Sequence, residues 1–538
     1  MRIRLWARLA AVLAIVSLAL TSSPSTAGQA TPSTAGQPSP STARRPPLTV
    51  SGSKLVDPAG KTVVLRGVSS MGMAMVYGDK ARPGTYLPMT PTQYVDRATQ
   101  TDATGQKWHS TAIRLVFERF PSVNPSRLYK TENIPYAMPD TIPVAAWQAG
   151  HTYQEGEVAS LAGKRFRVAK KLWRADRGFA WNPQPYQVGE IVVNIQGNVY
   201  RCTASTGSGD PAGNWGVFPT GTGTAIPEDQ GNLRYVWSYI GVFGRSGETA
   251  PSNVKPVTDH QQEWYVDNMA TWQYMSADYT PAESLAHFDD WKAKVMDPVV
   301  RRAIDNGLYV VICDFDFGPA HHPVRRARML DFWKRMAQSP WANHPQVIFE
   351  LWNESEDIGS FAGGPGSWAV QKPAIQETID AIRAAGATNI VIVPTPFYSA
   401  WAGEATASPL TGKNLAYALH QYRSTWETYP SNREQINQAM ASGQAIIWTE
   451  WADDSPQTNP ALQWPTTTSA PPPLRQLLES GEGSLNPAAG WFAWSLSKMW
   501  FPDLFLDDAL TKPSPFGVAT RQWLADKHNS ESAPPAPR

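Results

Sequence analysis

The sequence predicts a (β/α)8 TIM barrel with a small all-β insertion after its second barrel strand, from two observations. Short apolar runs recur near residues 64, 113, 310, 349, 391, 418, 447 and 492, mostly separated by helical patterns. Near-continuous apolar runs are how the doubly buried strands of a parallel sheet read. The second observation is that Arg114, Asn353, Glu354, His420, Tyr422, Glu450 and Trp494 all fall at or near the C-terminal ends of those runs. A closed barrel gathers these ends on one rim, where such folds carry their chemistry. The alternative is a doubly wound open sheet, which a sequence lacking a phosphate loop does not favour.

The elements follow in order. Residues 1–27 read as a secretory signal: Arg2, Arg4 and Arg8 precede an apolar stretch from Leu9 to Leu20, too short for a permanent anchor, and Ser25-Thr26-Ala27 offers a cleavage site. A membrane anchor is the competing reading. Residues 28–47 are a Pro/Ser/Thr linker expected to be disordered. The barrel is expected at 48–117 and 260–526, opening with a hairpin around Pro58-Ala59-Gly60 that plugs one end. A helix is expected over Thr90–Gln100. Another should start with Asp297 as N-cap and Pro298 at the first helical position, and stop before Gly307. Further helices are read over Ala327–Ala337, Lys372–Ala385, Asn432–Ala441, Leu474–Ser480 and Phe516–Asp526, with residues 527–538 a disordered tail.

Residues 118–259 break the rhythm, and their centre repeats itself. Tyr153-Gln154-Glu155-Gly156-Glu157-Val158 then Gly163 to Val168 matches Tyr186-Gln187-Val188-Gly189-Glu190-Ile191 then Gly197 to Cys202. Two small β-modules are expected, about 144–183 and 184–241. Surplus tryptophans follow the copies: Trp173 and Trp181, then Trp215 and Trp237.

Composition narrows the partners. The net charge is +1, from 47 basic and 46 acidic residues, with no basic stripe, which disfavours nucleic acid and anionic membrane. The chain carries 23 Trp and 18 Tyr, more aromatic surface than a core needs, and sugar rings stack on such faces. Cys202 and Cys313 read as two free thiols. Two cysteines and no His/Cys cluster argue against a structural zinc, and the paired-carboxylate chemistry read below implies no metal or organic cofactor.

Two stretches carry the chemistry. Val347 to Glu354 is a buried strand ending in Asn353-Glu354, and Ala445 to Trp451 is another ending in Glu450. Paired carboxylates on two strand tips suit the general acid and the nucleophile of glycosidic bond cleavage. Each alone is more simply a strand-end ion pair. Arg114 lies within an apolar strand, where an unpaired cation is very costly, so it needs a carboxylate, and the site glutamates are candidates. Among the aromatics, Trp352, Trp448 and Trp491 read as core, and Trp451, Trp494 and Trp500 as sugar-facing. Asp453 and Asp454 read as a solvated loop.

The order Arg114, Asn353-Glu354, His420-x-Tyr422, Glu450, Trp494 resembles glycoside hydrolase family 5, over about Leu48 to Leu524 outside the insertion. The repeats, with Ala146-Trp147 opening the first, resemble carbohydrate-binding modules of families 5 and 12, a motif that also occurs in spacers. The barrel resemblance implies that Glu354 is the acid/base and Glu450 the nucleophile. It implies that Asn353 binds the 2-hydroxyl, that Arg114 and Tyr422 hold Glu450 ionised, that His420 lines the site, and that Trp494 lies under the sugar. The family's histidine after the third strand is missing: the chain reads Asp314-Phe315-Asp316-Phe317, with His321 and His322 following. Arg114 is expected to lower the Glu450 pKa. The implied protein is a secreted retaining endo-glycosidase acting on a β-1,4-linked polysaccharide, glucan foremost. Mannan, chitosan or chitin-type polymers and a catalytically silent glycan-binding role stay open, as does the oligomeric state.

Overall fold

The computed structural model describes residues 45–78, 87–119, 138–139, 141–153, 157–161, 163–168, 188, 191–193, 198–206, 226–230, 233–242, 257–259, 262–267, 270–277, 280–316, 320–355, 367–422, 430–452, 478–479, 485–498 and 502–532. The expected signal, most of the linker, Asp453, Asp454, Trp173, Trp181, Trp215 and Trp500 lie outside them.

Eight parallel strands close a barrel: β1 (Leu65–Ser70), β2 (Ala112–Glu118), β3 (Tyr309–Phe315), β4 (Val347–Glu350), β5 (Val391–Val393), β6 (Leu415–Tyr422), β7 (Ala445–Ala452) and β8 (Gly490–Leu496), with β8 pairing back onto β1. Each apolar run read from the sequence is one of these strands. Successive side chains of a strand point to opposite faces. One set, including Ala112, Tyr309, Val311, Ile348, Ala418 and Ile447, fills the interior at the strands' N-terminal ends. Leu55 joins this cluster from the antiparallel sheet Thr49–Ser51, Lys54–Val56 and Thr62–Val63, and Leu48 from just before it, so the hairpin plugs the barrel floor as expected. Burying a leucine in this way contributes about 1.5–3 kcal/mol. Strands β1 and β2 pass closely at Gly67, where a Cβ would lie 1.8 Å from the Ala112 carbonyl oxygen. Only glycine admits that approach.

Strand β7 departs from strict alternation. Against β6, Ala418 faces Ile447 and His420 faces Glu450; against β8, Trp448 faces Trp491 and Trp451 faces Ala493. Both neighbours advance by two residues while β7 advances by three, so β7 carries one extra residue, at Thr449. This is a bulge, and it turns every later side chain of the strand to the other face. Ile447 points into the barrel, and beyond the bulge so does Glu450.

Three helices depart most from expectation. The helix expected to begin at Asp297 continues from Pro281–Trp291 through a π-helical turn, Lys292–Met296, into Asp297–Asp305. Asp297 therefore caps nothing; its carboxylate accepts from Lys292 Nζ (2.9 Å) and Trp341 Nε1 (2.8 Å). The helix Ser367–Ala384 starts well before Pro373 and includes it. The last helix, Pro515–Ser532, runs into the segment expected to be disordered. Tertiary contacts hold it: Lys527 Nζ lies 3.2 Å from Glu479, Glu531 lies 2.6 Å from Arg66, and His528 stacks on His109 with ring centres 4.3 Å apart. The Thr90 helix forms as Pro91–Asp96 with a capping box between Thr90 and Gln93. No helix among the described residues is long and apolar enough to cross a membrane.

Between β2 and β3 the chain passes through a second compact unit, mainly Pro143–Glu283. Strands Val158–Leu161 and Lys164–Val168 of the first repeat copy sit in a six-stranded sheet with Ala145–Ala146, Val257–Asp259, Gln262–Asp267 and Ala270–Ala277. Strands Ile191–Val193 and Asn198–Thr206 of the second copy join Ile226–Gln230 and Leu233–Val242 in a four-stranded sheet. A two-strand hairpin is marginal alone, and the first copy gains its further strands from beyond residue 241. Cys202 and Cys313 are both buried and are not joined in a disulfide.

Candidate active site

The site is built on the inward faces of β2, β4, β6, β7 and β8. Period-two spacing aims Arg114, Glu350, His420 and Tyr422 inward, and the β7 bulge adds Glu450.

Arg114 is fully buried at the centre. Its Nε and Nη2 donate to Glu350 Oε2 (2.6 Å) and Oε1 (3.2 Å). Its Nη1 donates to Glu450 Oε1 (2.8 Å) and Ser69 Oγ (3.2 Å). Nη2 also donates to Asn353 Oδ1 (2.7 Å) and Cys313 Sγ (3.3 Å). The sequence reading asked only for a carboxylate beside Arg114. The structure supplies two, and Glu350 takes the bidentate grip.

Glu450 accepts a second hydrogen bond, from the Tyr422 hydroxyl to Oε2 (2.6 Å). Burial pushes its carboxyl above the ordinary range; Arg114 and the Tyr422 hydrogen bond pull it down without cancelling that, and Glu350 adds to the rise. This corrects the expectation that Arg114 would hold Glu450 low: the burial of the carboxyl outweighs the pull of the cation. Burial also raises Tyr422 well above its usual value, so it stays a neutral donor.

Glu354 sits beyond the tip of β4. His420 Nδ1 lies 2.7 Å from Glu354 Oε1, and its Nε2 lies 2.9 Å from Thr449 Oγ1. Burial, then Arg114, pushes His420 well below its ordinary value, so the ring is neutral. A neutral imidazole holds one proton. It accepts from a protonated Glu354 while donating to Thr449, or donates to an ionised Glu354 while accepting from the Thr449 hydroxyl. His420 can thus pair with either protonation state of Glu354.

One atom each of Glu354, His420 and Glu450 lie within 4.8 Å of one another, a spacing that would also suit a metal ion. Those groups are already engaged by Arg114, Tyr422 and Thr449, and the set reads as one that handles protons. Asn353 Nδ2 is buried with no partner among the described residues, a donor available to a bound hydroxyl. Trp494 is nearly buried and lies parallel to Phe315, with ring centres 6.1 Å apart.

Trp451 is a correction. It is 2% exposed and packs edge-on against Trp491, Phe516 and Trp523, at 5.7, 5.3 and 5.6 Å. Plain alternation from Ile447 would face it into the barrel; the extra residue turns it out to the helix layer. Trp352, Trp448 and Trp491 are core, as expected. At the β3 tip, Asp314 pairs with Arg119 (2.9 Å), and the Asp316 carbonyl accepts from the Glu354 amide (3.4 Å). His322 occupies the N-cap position of the helix Pro323–Met336, and burial, Arg325, His321 and Arg328 push its pKa down to about 4. The histidine that meets the carboxylate pair is His420.

Residues 246–498 match the family described as Cellulase (glycosyl hydrolase family 5). This stretch is similar to the domains of that family. It contains Asn353, Glu354, His420, Tyr422, Glu450 and Trp494; Arg114 precedes the matched stretch, and the fold brings it in. Endoglucanase Z of Dickeya dadantii is 35% identical over 161 residues, covering 30% of this chain and 34% of that protein. An endoglucanase of Clostridium saccharobutylicum is 29% identical over 223 residues, covering 39% and 47%. The chain thus spans about a third to a half of the length of these curated relatives. A Saccharophagus degradans β-glucanase, crystallised with cellotetraose, aligns over 92% of this chain and 98% of its own at 15% identity and a TM-score of 0.45.

The sequence reading missed Glu350, Ser69, Thr449 and Phe315. Glu350 had a legible signal: a carboxylate inside a buried strand needs a cation, by the argument that picked out Arg114. Ser69 and Thr449 had none, since buried hydroxyls are common in strands.

Proposed function

We propose that this protein is a secreted retaining endo-glycosidase that hydrolyses β-1,4-glucan. The observation that carries the reading is the division of labour between two close carboxyls. Glu450 is held by Arg114 and Tyr422, and Glu354 is coupled to a neutral histidine. In the first step a Glu450 oxygen attacks the anomeric carbon, the bond to the leaving oxygen breaks, and the Glu354 proton passes to that oxygen. In the second, Glu354 takes a proton from water, whose oxygen displaces Glu450 and restores the free carboxylate. Retention calls for carboxyls roughly 5–5.5 Å apart, and the short span of the Glu354, His420 and Glu450 atoms supports that class. Asn353 Nδ2 is the donor offered to the 2-hydroxyl, and Trp494 the apolar face offered to the sugar. The endoglucanase names of the relatives support glucan as the substrate. The basic, then apolar, then small-residue pattern of residues 1–27 supports export.

The test is reducing-sugar release from carboxymethylcellulose, mixed-linkage β-glucan, mannan, xylan and chitosan, beside Glu450→Ala and Glu354→Gln. Release from the glucans, lowered on the order of 10³-fold in both variants, is expected. Release from mannan or chitosan alone would replace the substrate. No release, with the polymer still bound, would replace catalysis with glycan binding.

A further inference from the structure

We propose that Glu350 is the positioning residue of the nucleophile: its two-point clamp fixes which edge of Arg114 faces Glu450, and it keeps part of that cation's charge from Glu450. The inference rests on reading Glu450 as the nucleophile. Glu350 does not reach the reacting atoms; it acts through Arg114.

The geometry is specific. A guanidinium offers carboxylates two bidentate edges. Glu350 holds the one formed by Nε and Nη2, at 2.6 and 3.2 Å. Glu450 is left with Nη1 alone, at 2.8 Å. The same clamp aims Nη2 at Asn353 Oδ1, so the nucleophile and the 2-hydroxyl donor are registered by one rigid plane. The groups facing Glu450 are Arg114 from β2, Glu350 from β4, Glu354 beyond it, and His420 and Tyr422 from β6. Arg114 and Cys313 face Glu350, and burial keeps that thiol protonated.

The reaction gives the second carboxylate a task. When Glu450 becomes a glycosyl ester it loses its charge. Arg114, fully buried, would then lack a counter-ion, which is strongly unfavourable. Glu350, also fully buried and paired with Arg114 at 2.6 Å, remains the counter-ion through the whole cycle. It also leaves Glu450 less stabilised as an anion, and therefore more basic, than a private arginine would.

The experiment compares wild type, Glu350→Gln and Glu350→Asp. Two readouts are taken: the pH dependence of kcat/KM, and the titration of the Glu450 carboxyl by 13C NMR, which needs no turnover. Removing the Glu350 charge frees Arg114 for Glu450, so Glu350→Gln should move the acid limb and the NMR midpoint down by about one pH unit. Glu350→Asp keeps the charge but shortens the clamp. Its limb should stay in place while kcat falls about tenfold to a hundredfold at unchanged KM. A folded Glu350→Gln with both midpoints unmoved overturns the proposal. Should Glu350→Gln not fold, Glu350→Asp decides, and a wild-type kcat there overturns it. If the wild type turns over none of the polymers, the proposed activity fails by itself, and the Glu450 titration still decides the role of Glu350.

Discussion

The barrel holds two arginines with the same wiring and opposite outcomes. Arg66 donates from Nε and Nη2 to Glu479 (2.7 and 3.1 Å) and from Nη1 to Glu531 (2.6 Å). Arg114 donates from Nε and Nη2 to Glu350 and from Nη1 to Glu450. Around Arg66, burial alone would raise Glu479, but its hydrogen bond with Arg66, the attraction of that cation, the Trp491 N–H and Lys527 bring it below the usual range. Around Arg114, Glu450 rises. The difference lies in water and in the count of charges. Glu531 is 54% exposed and Lys527 adds a second cation, whereas Glu350 and Glu450 share one cation in a dry interior. A fork of hydrogen bonds fixes positions; it does not by itself decide whether a carboxylate is comfortable as an anion.

The largest expected effect that tests this contrast is on stability. Arg114→Met strands two buried carboxylates and should cost about 3–5 kcal/mol by urea unfolding, with loss of turnover. Arg66→Met should cost only about 1–2 kcal/mol, since Lys527 remains and Glu531 reaches water. Equal losses would sink the comparison. Next comes the order of events on acidification. Glu479 is depressed when folded, so its contribution is present above the ordinary carboxylate pKa of about 4.3 and is lost as pH falls through its lower folded value. Glu450 is elevated, so it takes up its proton first. The acid limb of kcat/KM should therefore lie at higher pH than the loss of hydrogen-exchange protection at residues 527–532, both followed in one titration. The reverse order would show that the two sites share one environment. The smallest effect is Ser69→Ala, which removes a neutral acceptor 3.2 Å from Arg114 and should cost about 1 kcal/mol, with kcat within roughly threefold of wild type.

The architecture was legible because a doubly buried parallel strand announces itself as an apolar run, and all eight did. The carboxylate pair of the candidate site was legible because Glu354 and Glu450 interrupt such runs at their ends. Three things were not. The helical continuation to Ser532 depends on Arg66, Glu479 and His109, all distant in sequence, and a polar tail alone resembles disorder. The bidentate partner of Arg114 was hidden because Glu350 and the site glutamates satisfy the same local rule, and only register decides which one closes the fork. The outward turn of Trp451 was hidden because an extra residue in β7 leaves no mark in composition.

That extra residue has an evolutionary consequence. The direction of the Glu450 side chain is stored as a length, not as a chemical identity. A library of point substitutions through β7 would leave the length intact and miss it. Loss of a single codon there would swing Glu450 into the helix layer while leaving every other side chain of the strand in place. Change along this strand is therefore gated by insertions and deletions, and the reading frame of the fold is guarded at one position.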